Sequence, residues 1–210
     1  MKIAVVCANG KAGKLIVKEA VARGFDVTAF VRGENKTVAQ KAVIKDLFEI
    51  TKADLAGMDI VIDAFGMNDK NRVDEHSRSL NKLCDLLSQT NTRLLIIGGA
   101  GSLFMDKEHT MTLSETPDFP EPFKPVANAM GNSLKELRQR KDVQWTYISP
   151  AAEFIADGEK TGSYVLAGEE FTVNSQGRSF ISYADYAIAM IDEAASGKHL
   201  QQRISTLTKA

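Results

Sequence analysis

Cysteine, excess charge and long apolar runs are what this sequence has least of. Two cysteines in 210 residues build no disulfide framework. Lys and Arg number 26 against 27 Asp and Glu, a net charge of −1, so no nucleic-acid footprint is expected. No stretch approaches the roughly 18 apolar residues of a membrane span, and the first residues lead straight into a strand pattern rather than a signal peptide. The three histidines, His76, His109 and His199, have no metal-ligand spacing, so no metal site is expected. Hydrophobic residues make up 44% and charged residues 25%, the profile of an ordinary globule. A chain of this length is enough for one α/β domain, residues 1–210, and short for two. A cytoplasmic location is the default expectation.

What is present is concentrated at the start. Lys2 to Val6 reads as a buried parallel strand. It runs into Cys7-Ala8-Asn9-Gly10-Lys11-Ala12-Gly13, and then Ala12, Leu15, Ile16 and Ala20 fall on one helical face. Gly24 can end that helix, and Asp26 to Val31 reads as a second strand. Strand, glycine turn, helix and strand within about 30 residues form the unit that cradles a dinucleotide pyrophosphate. The N–H groups of the helix start have no intrahelical partners and can bind phosphate oxygens. Gly10 allows close approach of the backbone, and Gly13 allows the helix to pack against the strand.

The rest of the chain repeats the α/β alternation. Strands are expected over 38–44, at Met58 to Ala64, over Thr92 to Ile97 and over Val143 to Ser149. Helices are expected over Val73 to Gln89, Val126 to Arg140 and Tyr183 to Ala195. A short crossover helix is expected to end at Leu55-Ala56-Gly57, an extended pair or hairpin over Tyr164 to Val173, and a last edge strand over Arg203 to Thr208. Cys84 shares a helical face with Leu80, Leu83 and Leu87, which reads as core packing. Met105 to Pro125 holds four of the five prolines and is long enough to be a functional loop, such as a lid. Glycines in Gly98-Gly99-Ala100-Gly101 follow a central strand at the edge where open parallel sheets bind ligands. Arg32 stands at the end of the second strand, where an NAD-specific domain carries an acid. With Lys11, Lys14 and Lys36 nearby, this favours NADP(H), with NAD(H) as the other donor.

The Cys7 to Gly13 turn resembles the glycine turn of atypical and extended short-chain dehydrogenase/reductases, except that Cys7 replaces the first glycine. Further motifs strengthen the resemblance: Gly98 to Ser102, Trp145 to Pro150, Gly158 to Gly162, and Gly177 to Tyr186. Nearly the full length is similar to the compact NADH–flavin reductase branch, and more distantly to NmrA-like regulators and biliverdin reductase B. The resemblance implies a doubly wound parallel sheet (Rossmann fold) in the order 3-2-1-4-5-6, with residues 151–180 as a small substrate-side region. It also implies cofactor contacts from Ala8, Asn9, Gly10, Lys11, Ala12, Gly13, Arg32, Ala64, Phe65, Gly66, Gly98, Gly99 and Ala100. Asp46 and Leu47 read equally as the pair that borders the adenine or as the start of a helical turn.

The ordinary members of that superfamily use Tyr-x-x-x-Lys. Four residues after Tyr147, Tyr164, Tyr183 and Tyr186 stand Ala151, Gly168, Ala187 and Met190, so the relay is missing. Ser102 matches the superfamily's serine and is the one catalytic candidate, although a loop cap is the commoner role of such a residue. Without a proton relay, a conjugated acceptor such as FMN or FAD, bound as substrate, suits the chain better than a ketone. Met67, Phe104, Pro150 and Phe154, at strand ends, are the candidates for its pocket. The alternatives are a non-catalytic NAD(P)(H)-binding sensor and an isomerase or carbonyl reductase with another acid. The partner expected is a small molecule, with the chain a monomer or homodimer.

Overall fold

Alternate residues of the first strand, β1 (Lys2–Val6), are buried on opposite sides of a sheet. Ile3 and Val5 belong to one core and Ala4 and Val6 to another, so helices must cover both faces. A computed structural model describes residues 1–209 and shows how. After β1 come α1 (Lys11–Ala22), β2 (Asp26–Val31), β3 (Lys41–Ile44) and β4 (Ile60–Asp63). Next are α2 (Glu75–Leu87), β5 (Arg93–Ile97), α3 (Lys124–Leu137) and β6 (Gln144–Pro150). The chain closes with β7 (Glu153–Ile155), β8 (Tyr164–Ala167), β9 (Phe180–Ser182), α4 (Tyr183–Ser196) and β10 (Gln202–Thr208). α1 and α4 cover one face through Ile16, Val17, Tyr186 and Met190, while α2 and α3 cover the other through Leu80, Leu83, Leu134 and Leu137.

The sheet runs β3-β2-β1-β4-β5-β6-β10-β8. The expected order 3-2-1-4-5-6 is therefore present, extended by two strands. β10 is not the edge strand that its position suggested: it lies inside, parallel to β6, and five of its seven residues pair with Thr146 to Pro150. β8 forms the edge, antiparallel to β10, so the hairpin expected over Tyr164 to Val173 is replaced by pairing with the end of the chain. No α-helix connects β3 to β4. The crossover is made of one 3-10 turn, Leu47–Glu49, and hydrogen-bonded turns, with Leu47, Ile50 and Leu55 buried to hold it down. The expected start of α3 moves two residues earlier, because Pro125 fits the first helical turn, where no N–H is needed. No helix among the described residues is long and apolar enough to cross a membrane.

The glycines after β5 serve packing. A methyl group at Gly98 would stand 2.2 Å from Cε1 of Tyr147, and one at Gly101 would stand 2.7 Å from Cβ of Ala127 in α3. Tyr147 is fully buried, and its hydroxyl accepts the Gly99 N–H at 3.3 Å, so the ring has nowhere to go. Gly98→Ala is expected to destabilise the fold by about 1–3 kcal/mol, the usual cost of overpacking, read as a lower urea midpoint at unchanged slope.

One core carboxylate is held against its chemistry. Asp63 ends β4, is 4% exposed, and accepts one hydrogen bond, from the Phe65 N–H at 3.0 Å. It borders a small cavity with His76, Ser79 and Tyr147. Burial, only partly offset by that hydrogen bond, raises its pKa from 3.8 to about 6. Because the folded pKa is raised, the folded state binds this proton more tightly. The resulting stability is complete at low pH and is lost as pH rises through about 6, reaching about 3 kcal/mol of cost at neutral pH. Asp63→Asn keeps the acceptor and removes the charge. It is expected to raise unfolding stability by about 1–3 kcal/mol at pH near 7.5, with the gain vanishing towards pH 4. Urea unfolding at both pH values measures this, and a loss of stability at neutral pH would contradict it.

Candidate functional site

β1 stands between β2 and β4, so the chain leaves it in one direction to build β2 and β3 and in the other to build β4, β5 and β6. Such a reversal opens a crevice at the carboxyl ends of the strands. A cleft of about 770 Å³ lies there, within the range of ligand sites.

Its floor is the turn between β1 and α1. Cys7 has φ 58°, a left-handed conformation that costs an ordinary residue about 1–2 kcal/mol. A glycine would adopt this conformation without that cost; here a cysteine bears the strain. Burial, reinforced by the Asp63 charge, raises the Cys7 thiol to about 12, so it stays protonated. The Cys7 carbonyl accepts the Gly10 N–H at 3.0 Å. A methyl group at Gly13 would lie 2.9 Å from the carbonyl oxygens of Cys7 and Ala8, so α1 is pressed onto the end of β1.

The open end of α1 suits an anion. The first N–H to return into the helix is that of Lys14, to the Gly10 carbonyl at 3.0 Å. The N–H groups of Lys11, Ala12 and Gly13 therefore have no helical partner. No side chain caps the helix, and its first turn holds no acid. The donor set and the close-packed glycines fit a pyrophosphate. Asn9 braces the turn: its side-chain amide donates to the Glu34 carbonyl and its Oδ1 accepts the Lys36 N–H, both at 2.8 Å. The turn and the loop after β2 are thereby fixed to each other.

Arg32 lies on the cleft wall, exposed, with no ion-pair partner among the described residues. Lys14 and Lys36 do not line the cleft. Asp46 does, and it also starts the Leu47–Glu49 turn by accepting the Phe48 N–H at 2.9 Å. Beside it, the Arg78 guanidinium lies 5.1 Å from the centre of the Phe48 ring. Phe48 and Arg78 both line the cleft, and neither is among the site candidates read from the sequence.

At the other end lie Ala64, Phe65, Gly66, Met67 and Ile97, together with Phe154 and Tyr183. The last two are brought there by a second, two-stranded sheet in which β7 pairs with β9, Phe154 beside Ile181. Tyr183 begins α4 directly after β9, and its ring centre is 3.9 Å from that of Phe154. Sequence reasoning passed over Tyr183 because it tested tyrosines only for a lysine four residues on. The available signal was its place inside the Gly177 to Tyr186 motif.

The remaining sequence candidates lie elsewhere. Ala8 and Gly13 are buried beneath the turn. Gly98, Gly99 and Ala100 are absent from the cleft wall, as are Ser102, Phe104 and Pro150. Ser102 Oγ sits 3.5 Å from Nη1 of Arg203, whose fully buried side chain is paired with Glu169. Phe104 stacks on His109 with ring centres 4.2 Å apart, and His109 in turn pairs with Glu170. No residue from Met105 to Pro125 lines the cleft; that loop is pinned by Leu113 to Leu103 and Ser114 to Gly101 backbone hydrogen bonds.

Comparison with known proteins agrees with this geometry. The uncharacterized protein YwnB of Bacillus subtilis is 43% identical, with all of both chains covered. The crystal structure of SP1627 from Streptococcus pneumoniae, named "a putative NADH-flavin reductase", is 55% identical, with a TM-score of 0.98 over the whole of both chains. A Bacteroides thetaiotaomicron protein named "putative epimerase" is 32% identical, with a TM-score of 0.84 over all of this chain and 97% of its own. The resemblance drawn from the motifs therefore holds. The model of the family described as NAD(P)H-binding matches residues 7–194, and this chain belongs to that NAD(P)H-binding family.

Proposed function

We propose that this protein is an NAD(P)H-dependent reductase that delivers hydride to a flavin or a similar conjugated acceptor. The reading is supported by one cleft with an uncapped helix start on its floor and an arginine on its wall that has no ion-pair partner among the described residues, together with the lack of Tyr-x-x-x-Lys in the sequence. When bound, the dinucleotide supplies a hydride from its nicotinamide ring. The chain's residues hold and orient it. The free N–H groups of Lys11 and Ala12, which line the cleft, bind the pyrophosphate. Asp46 and Leu47, with Phe48, border the adenine. The small residues Ala64 and Gly66 leave room for the second ribose.

NADP(H) is the preferred donor in this reading. A 2′-phosphate brings close to two negative charges to the end of β2, where Arg32 offers a fork of donors with no competing carboxylate. The absence of a Tyr-Lys pair matters less for a flavin than for a ketone, because the charge left after hydride transfer is delocalised and the proton can come from water. The similarity to a protein named "a putative NADH-flavin reductase" supports this reading, and the similarity to one named "putative epimerase" makes an acceptor panel necessary.

Purified protein is expected to oxidise NADPH faster than buffer with FMN, FAD or riboflavin as acceptor, and to prefer NADPH to NADH. Oxidation at the buffer rate across flavins and quinones would overturn the reductase reading. Tight NADPH binding without turnover would then support the sensor. Arg32→Ala is expected to weaken NADPH binding about tenfold or more, as loss of a charge-assisted pair does, while NADH binding stays within about threefold. Fluorescence titration with each dinucleotide measures both.

A further inference from the structure

We propose that Phe154 and Tyr183 form the wall on which the planar acceptor stacks, with the Tyr183 hydroxyl as its hydrogen-bond donor. The inference rests on the reductase reading and names the residues that would select its substrate.

Four tyrosines are present, and three have protein partners for their hydroxyls. Tyr147 accepts the Gly99 N–H, Tyr164 donates to Asp192 at 2.6 Å, and Tyr186 donates to the Ile148 carbonyl at 2.6 Å. Tyr183 is half-buried, lines the cleft and has no hydrogen-bond partner among the described residues. The hydroxyl is open to the cleft rather than sealed in the core, so a bound ligand can take the hydrogen bond that it otherwise gives to solvent. Burial raises its pKa, which keeps the hydroxyl protonated and able to donate.

Location indicates which ligand. Asp46 and Phe48, after β3, mark one end of the cleft, and the turn at Gly10 marks its middle. Phe154 and Tyr183 line the same cleft as Gly66, Met67 and Ile97, which follow β4 or end β5 on the side of β1 opposite to β2 and β3. An aromatic pair with one polar tip favours a flat conjugated ring over an aliphatic carbonyl.

The wall is also rigid. Phe154 packs against Tyr186 as well, 4.9 Å between ring centres. Ser182 caps α4 by accepting the Asp185 N–H at 3.0 Å. The fully buried Asp185 carboxylate accepts the N–H groups of Thr161 and Gly162 at 3.0 and 2.8 Å, and the Thr161 hydroxyl at 2.8 Å. A methyl group at Gly158 would stand 2.8 Å from Ser182 Cβ. The two glycine-rich motifs around 158–162 and 177–186 thus clamp the segment that presents Tyr183, and a surface fixed before binding loses less entropy on binding.

The test compares wild type, Tyr183→Phe and Tyr183→Ala by two readouts. One is the quenching of riboflavin fluorescence by protein saturated with NADP⁺; the other is steady-state KM for FMN with NADPH as donor. Tyr183→Ala is expected to weaken riboflavin binding and raise KM about tenfold or more, the usual loss of a stacking ring, while Tyr183→Phe, which keeps the ring and loses only the donor, shifts both in the same direction by about threefold to tenfold; no change in Tyr183→Phe would overturn the donor role. NADPH affinity, which also reports folding, is expected to be unchanged in both variants. Unchanged riboflavin binding in Tyr183→Ala would overturn the inference and leave the reductase reading standing. Riboflavin binding that depends on Tyr183 without FMN turnover would support the inference while the reductase reading fails. Absence of riboflavin binding in wild type would also overturn the inference.

Discussion

The close seat of α1 on the end of β1 is the constraint on which the rest depends. Between Val6 and Lys11 the chain must stop pairing, reverse and begin a helix whose backbone touches the strand it has just left. Gly13 meets this by having no Cβ to collide with the carbonyls of Cys7 and Ala8. Cys7 meets it by adopting a left-handed conformation at a cost of about 1–2 kcal/mol. The strain is borne because two cores grip the flanking elements: β1 is buried on both faces. What results is a row of free N–H groups at a fixed place above the sheet.

Strand order then distributes the functions. β2 and β3 lie on one side of β1 and bring Arg32, Asp46 and Phe48; β4 and β5 lie on the other and bring Ala64 to Met67 and Ile97. Only at the far end does the main sheet fail to supply a wall. There the two-stranded sheet of β7 and β9 and the first turn of α4 contribute Phe154 and Tyr183. The carboxylate of Asp185, buried at the start of α4, ties this annex to the loop at Thr161. Rigid scaffold and added rim are therefore coupled through α4, which packs beside α1 on the same face of the sheet.

Most of the parallel sheet was legible because most of its strands are short, nearly continuous apolar runs. β1, β2 and β5 carry that pattern, and the glycine turn could be placed between strand and helix from spacing alone. β10 was misplaced at the edge since Arg203, Ser205 and Thr206 look solvated; in the structure Arg203 is buried by pairing with Glu169, and the strand is interior. Glycines after β5 read as a ligand approach, whereas the space they leave is filled by Tyr147, Met130 and Ala127. Close approach is visible in a sequence, but what approaches is not. Tyr183 was missed for a related reason: its partner is a phenylalanine 29 residues earlier in the chain, and no local spacing encodes that contact.

The central claim is that the free N–H groups at the start of α1 hold the dinucleotide pyrophosphate. The most direct measurement is a titration of isotope-labelled protein with NADP⁺, following the backbone amide resonances. The account predicts that the largest shifts fall on the amides of Lys11 and Ala12. Saturable binding that leaves those two amides unmoved would contradict it.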